Sequence, residues 1–203
     1  YVLGTVGRPE SVAALARAIR RDDFFQLAET ATVAMGTMDK ACVPAIIAGA
    51  EDSSWRVRVS CIYGLGRRSA PEAVPVFRKA LHDPHPYVRF RAAWGLGRLP
   101  ASEAIEDLFD ALPDRDVTAQ AQIAETLADT ILARTHPGDP LRERGLTALT
   151  GLLRQFGDGC KRRDAEWGWR TVGNAIRRFG GDGSKVLEGM IEQKDNQRLR
   201  ECA

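Results

Sequence analysis

The fifteen residues from Asp52, Asp-Ser-Ser-Trp-Arg-Val-Arg-Val-Ser-Cys-Ile-Tyr-Gly-Leu-Gly, return 31 positions later as Asp-Pro-His-Pro-Tyr-Val-Arg-Phe-Arg-Ala-Ala-Trp-Gly-Leu-Gly from Asp83. A period of that length is one supersecondary unit, which buries its apolar face only against its neighbours, so a chain built this way stacks into a solenoid. The period extends in both directions. Gly36 and Gly4 precede Gly66 at nearly the same interval, and Ala128 in Thr-Leu-Ala-Asp follows Gly97 by 31 residues. The aspartate that opens each unit recurs at Asp22, Asp52, Asp83 and Asp114.

Each unit reads as two helices. In the first, Val57, Cys61 and Leu65 recur every fourth residue, as do Val88, Ala92 and Leu96, which sets each trio on one helix face. Gly66 and Gly97 are expected to close these helices in the left-handed conformation that glycine enters without strain. Pro71-Glu72 opens the second helix, where proline in the first turn removes no hydrogen bond. Its apolar stripe is Ala73, Val74, Phe77, Ala80 and Leu81, with Val12, Leu15 and Ile19 as upstream equivalents and Ile105, Leu108 and Leu112 downstream. The fold class is therefore all-α, an α-solenoid with about 31 residues per repeat.

The chain reads as one array over residues 1–203, broken once by an irregular insert at about 135–163. A turn-rich stretch after Asp129 leads to a helix from about Leu141 to Phe156, with Asp139-Pro140 as its start signal and Leu149, Leu152, Leu153 and Phe156 as its buried face. Asp164 begins another repeat, whose two helices are linked by Gly180-Gly-Asp-Gly. Both ends read as partial repeats, so a segment of a longer protein is expected.

Composition sets outer bounds. The 203 residues are 44% hydrophobic and 28% charged, which suits a packed globular chain. A net charge of +2 is too near neutral to advertise a polyanionic partner. No run of about 18 apolar residues is present, so no membrane partner is expected. The four cysteines are scattered, without a Cys-x-x-Cys spacing, and Cys42 and Cys61 fall at repeat-core positions where cysteine packs as a small hydrophobe. A reducing, cytoplasmic setting is the expectation.

The pattern Asp-x-x-x-x-Val-Arg, then small residues and Leu-Gly, then Pro-Glu-Ala-Val-Pro, resembles the HEAT repeat, in the bacterial flavour also called the phycobilisome-lyase HEAT-like repeat. The match is strong over 52–112, fair over 3–51 and 113–134, and loose over 164–203. The resemblance implies a right-handed superhelix of antiparallel helix pairs, used mostly to bind proteins. It also implies a ladder of Asp and Arg between neighbouring repeats, to which Asp52 and Arg58, Asp83 and Arg89, and Asp164 and Arg170 are assigned, each pair six residues apart. A carboxylate at a helix start can accept backbone N–H groups while pairing with a guanidinium. The register loses its arginine at Ala28 and Gln120, which argues for structure rather than catalysis.

The residues also bear on three other chemistries. His82-Asp-Pro-His85 offers metal-ligand types, yet its prolines mark a turn and no second histidine pair completes a shell. HEAT-like di-iron hydroxylases of the deoxyhypusine type carry His-Glu dipeptides, and none occurs here, so no metal or other cofactor is expected. HEAT-like DNA glycosylases require a basic track. Second-helix columns read Arg17, Ala48, Lys79, Asp110 and Ala13, Pro44, Pro75, Glu106, a mixed face that suits a protein better than a phosphate backbone. Lys161-Arg162-Arg163 reads as a solvated loop, and Trp167 and Trp169 read as packing residues of a first helix rather than a base-stacking platform.

The expected function is a non-catalytic protein-binding scaffold whose partner is a protein or another domain of the same chain. A lyase-like or chaperone-like module for a bilin-bearing protein, and a DNA-binding or glycosylase-like module, are the alternatives. A helical-wheel count from Phe77 sets Arg17, Arg78, Lys79, Phe109 and Asp110 on or beside one solvent-facing strip. Phe109, whose equivalent is Arg78, either anchors a partner or packs under the segment 135–163.

Overall fold

A computed structural model describes residues 8–21, 26–99, 104–158 and 163–192. These hold eleven α-helices and no strand: α1 (Pro9–Arg20), α2 (Gln26–Thr37), α3 (Val43–Gly49), α4 (Trp55–Arg68), α5 (Val74–Ala80), α6 (Pro86–Gly97), α7 (Ile105–Ala111), α8 (Val117–Leu132), α9 (Pro140–Asp158), α10 (Arg163–Arg177) and α11 (Gly181–Glu192). Short 3₁₀ turns, Lys40–Cys42 and Pro71–Ala73, lead into α3 and α5. The protein is an all-α helical-repeat solenoid, divided into two compact units, Tyr1–Pro100 and Ala101–Ala203.

In the first unit the first helices of successive repeats, α2, α4 and α6, pack side by side. The second helices α3 and α5 lie chiefly against the first helix of the following repeat, α4 and α6 respectively. The i, i+4 trios supply this core: Val57, Cys61, Leu65, Val88 and Ala92 are wholly buried, and Leu96 nearly so. Phe77 is the largest wholly buried side chain, worth about 1.5–3 kcal/mol for its removal from water.

The repeat glycines do a different job from the one expected. Gly66 lies inside α4 and is buried, while the left-handed residue that ends this helix is Ser69, at φ 49°. Gly97 is the last residue of α6, followed by Arg98 in ordinary right-handed geometry. A Cβ on Gly66 would stand 2.8 Å from Trp94 Cζ3 and 3.0 Å from the Gly95 Cα. One on Gly64 would stand 2.9 Å from Met35 Cβ, and one on Gly95 2.6 Å from Phe77 Cε1. Glycine is there because neighbouring helices touch through it, and that contact fixes how closely the first helices stack.

The opening aspartates sit two residues ahead of the N-cap. Asp52 accepts from the Ser54 N–H at 2.9 Å, Asp83 from His85 at 2.8 Å and Asp114 from Asp116 at 2.8 Å. Each carboxylate thereby closes an Asx turn that aims the chain into the helix. The caps proper are Ser54, His85 and Asp116, and His85 Nδ1 accepts from the Tyr87 N–H at 3.3 Å. Asp22 lies outside the described residues.

In the second unit α8 and α10 are the stacked first helices, α9 lies against both, α7 packs on α8 and α11 on α10. The segment expected as an insert is thus the second helix of the repeat that α8 begins. What departs from the period is length, with 19 residues in α9 against 7 in α5 and 7 in α7. Asp139 accepts from the Leu141 N–H at 2.8 Å and starts this helix, and Leu149, Leu152, Leu153 and Phe156 are buried along it. Gly180, at φ 70°, makes the turn into α11.

Candidate interaction surfaces

The repeat ladder joins successive units rather than the two members of one unit. Arg58 reaches forward to Asp83, Nε to Oδ2 at 2.7 Å and Nη2 to Oδ1 at 2.8 Å, and its Nη1 donates to the Asp52 carbonyl at 2.9 Å. Asp52 in turn receives the fork of Arg20, with Nε to Oδ1 at 3.1 Å. That bond, more than the Ser54 N–H, holds the Asp52 carboxyl below the ordinary aspartate range. Arg20 does what the residue at Ala28 in the arginine register cannot, from the last turn of α1. Arg89 donates Nη1 to the Asp83 and Pro84 carbonyls at 2.8 and 3.2 Å. Arg170 is exposed and pairs with Glu166 at 3.0 Å, one turn back on α10, and the Asp164 side chain lies outside the described residues.

The second-helix strip carries charges that cancel in pairs. Lys79 is exposed and meets Glu51 at 2.7 Å, and Lys40 stands 3.6 Å from Glu72. Arg17 is exposed and Arg78 half-buried. In the second unit Asp110 is exposed on α7, while Phe109 is half-buried beneath Arg144, whose guanidinium carbon stands 3.9 Å from the ring centroid. Arg144 also forks onto Glu106, Nη1 to Oε1 at 2.6 Å and Nη2 to Oε2 at 2.9 Å, lowering that carboxyl's pKa. Phe109 thus has one ring face covered by Arg144 of α9, in the segment 135–163.

A second surface, missed in the sequence reading, runs along the first helices of the first unit. Arg56, Ser60, Tyr63 and Arg67 of α4 match Tyr87, Arg91 and Trp94 of α6 and Arg98 just after it across the 31-residue period. Tyr63 and Trp94 meet edge to face with centroids 4.7 Å apart. The Arg91 guanidinium lies 4.1 Å from the Tyr63 centroid and donates Nη2 to Tyr87 Oη at 3.1 Å, while Arg98 sits 5.2 Å from the Trp94 centroid. The available signal was an absence: residues 53–71 and 84–102 contain no Asp or Glu.

The other residues singled out have local roles. His85 stacks on Trp55 with centroids 3.8 Å apart and caps α6, and His82 and His136 are exposed. Trp167 is 43% exposed on α10, and the half-buried Trp169 keeps an indole N–H without a partner among the described residues. Cys42 and Cys61 are buried free thiols, and burial pushes Cys61 up to about 12, which leaves it unreactive near neutral pH. Lys161 and Arg162 lie outside the described residues. Among those described, no single helix is long and apolar enough to cross a membrane.

Known proteins agree with this architecture. Residues 43–128 match the family model for HEAT repeats. No curated protein matches the sequence. Among solved structures, one chain of the structure described as Kap95p binding inducing the switch loops of RanGDP to adopt the GTP-bound conformation superposes with a TM-score of 0.59 at 19% identity. The superposition covers 95% of this chain and 29% of that one, so the sequence spans under a third of its neighbour's length. At that identity the likeness is one of fold. Paired helices, a glycine-spaced stack and an Arg–Asp ladder accompany the family match: residues 43–128 carry HEAT-like repeats within an all-α helical-repeat fold.

Proposed function

We propose that this chain is a non-catalytic scaffold that binds protein, whether a separate partner or another domain of its parent chain, through its exposed helix surfaces. One observation carries the reading. Along the second helices and the turns that flank them, basic and acidic side chains of neighbouring repeats neutralise one another, as Lys40 with Glu72 and Lys79 with Glu51 in the first unit and Arg144 with Glu106 in the second. A phosphate backbone calls for same-sign charge along a continuous track. A surface of alternating sign suits a protein partner better than a polyanion.

The test uses the 203-residue chain immobilised in a lysate of its source cells, with and without nuclease, beside a titration with duplex DNA at physiological salt. Protein retained after nuclease treatment, with only weak and sequence-blind DNA binding, is the expected result. A salt-resistant, submicromolar complex with duplex DNA would overturn the reading.

A further inference from the structure

On the first helices of the first unit the sign of the charge changes. In α4, α6 and the residue that follows α6 there are seven arginines and no carboxylate, because residues 53–71 and 84–102 lack Asp and Glu altogether. Three of the seven serve the fold: Arg58 holds Asp83, Arg68 donates to the Met38 carbonyl, and Arg89 holds the Asp83 and Pro84 carbonyls. The other four, Arg56, Arg67, Arg91 and Arg98, pair with no carboxylate among the described residues. They alternate with Tyr63, Tyr87, Phe90 and Trp94, all half-buried. Arginine with tyrosine and tryptophan is the side-chain set that dominates the centres of protein interfaces.

The arginines are held ready. Arg91 lies against the rings of Tyr63, Tyr87 and Phe90 at 4.1, 5.3 and 5.2 Å and is tied to Tyr87 Oη, so little rotamer freedom remains to be lost on binding. Arg56 lies 5.3 Å from the Trp55 ring and Arg98 5.2 Å from that of Trp94. Arg67 and Arg98 are exposed and Arg56 and Arg91 half-buried, so guanidinium N–H forks are accessible beside the part-exposed rings. Forks of this kind recognise carboxylates in bidentate fashion.

We infer that the α4–α6 face docks an acidic segment of a partner protein, with carboxylates on Arg56, Arg67, Arg91 and Arg98 and apolar side chains against Tyr63, Phe90 and Trp94. The inference rests on the scaffold reading for the class of partner and adds its chemistry and its place. The eleven positions from Arg56 to Arg67 on α4 span about 17 Å at 1.5 Å per residue, the reach of about five extended residues. The extent of the basic track favours a short acidic segment over a nucleic acid. The acid-free stretches end at Asp52 and Glu72 and at Asp83 and Glu103, so the track is no longer than the helices themselves. A continuous phosphate backbone calls for a longer one, whereas a short acidic stretch ends within the arginines.

The test is a fluorescence-anisotropy titration of the 203-residue chain with a labelled short peptide alternating glutamate with leucine, against its lysine-for-glutamate counterpart and a short duplex DNA. The expected result is saturable, salt-sensitive binding of the acidic peptide alone, weakened about tenfold by Arg91→Gln and again by the exposed Arg98→Gln, since each removes a charge-assisted hydrogen bond. Arg170→Gln, which removes an exposed cation of the second unit, should leave affinity unchanged, and circular dichroism should show full helicity in all three variants. No binding of the acidic peptide, or equal binding by wild type and the α6 variants, would overturn the inference while leaving nuclease-resistant protein capture as the separate measure of the scaffold. Duplex DNA bound more tightly than the peptide, and lost in the same variants, would overturn it in favour of a nucleic-acid surface.

Discussion

Arg58 clasps Asp83 across 25 residues of sequence with two hydrogen bonds of 2.7 and 2.8 Å, and with its remaining nitrogen holds the Asp52 carbonyl at 2.9 Å. One guanidinium thus ties the turn before its own helix to the turn before the next. Its side chain is 14% exposed and that of Asp83 10%, so the pair is shielded enough to matter.

Arg58→Ala is therefore expected to cost on the order of 1–3 kcal/mol, because the half-buried Asp83 carboxylate loses its charged partner. Urea denaturation followed by circular dichroism measures it. Combining Arg58→Ala with Asp83→Asn should cost less than the two single changes added together. Strict additivity would show that the two residues act separately.

The six-residue spacing did not show which side chains pair: Arg58 meets Asp83 of the next repeat, and Arg170 meets Glu166. Within one repeat the spacing brings arginine to its own aspartate's backbone carbonyl, while the carboxylate faces the arginine of the preceding repeat. Arg20 carries no signal in the sequence, since its partner Asp52 lies 32 residues on and no register links them.

The Arg20–Asp52 pair predicts an acid-dependent term. Asp52 titrates below its ordinary value of about 3.9, so its contribution to stability is complete above that value and is lost as pH falls through the lower folded value. Asp52→Asn should lower the urea midpoint at neutral pH, and the gap from wild type should close in strongly acidic buffer. A gap constant with pH would show that the carboxylate charge contributes nothing.

Glycine offers a paired test. Gly66→Ala drives a methyl to within 3.0 Å of the Gly95 Cα, a backbone atom that cannot swing away, and should cost about 1–3 kcal/mol. Gly151 is exposed inside α9 with nothing within 4 Å of an added Cβ, so Gly151→Ala should stabilise by about 0.5–1 kcal/mol. Melting temperatures that move together would refute the packing role assigned to Gly66.

Helix count and core faces were legible because burial follows a period, and the trios from Val57 and Val88 declare it. The roles of Gly66 and Phe109 were not, since both depend on what the neighbouring helix brings. A glycine near a helix end looks the same whether it turns the chain or admits Trp94. A phenylalanine on an outer face looks bare until Arg144 arrives from 35 residues away. The α4–α6 face leaves one mark in the sequence, the gap in acidic residues over 53–71 and 84–102.

Arg142 is a buried cation that meets carbonyls in place of a carboxylate. Only 9% exposed, it donates Nη1 to the Thr135 carbonyl at 3.4 Å and Nη2 to the Phe179 carbonyl at 3.1 Å, with its guanidinium 5.3 Å from the Phe179 ring. Thr135 follows the end of α8 and Phe179 the end of α10, where unpaired carbonyls and the helix dipoles concentrate negative potential. Arg142 thereby joins the ends of the two stacked first helices from the start of α9. Arg142→Ala should cost on the order of 1–3 kcal/mol through the stranded carbonyls. Arg142→Lys should recover only part of that, since one ammonium cannot fork between both. Arg142→Met keeps the apolar stem but not the donors, and should resemble alanine more than lysine in urea denaturation. A methionine variant as stable as wild type would mean that water satisfies those carbonyls and that the stem alone matters.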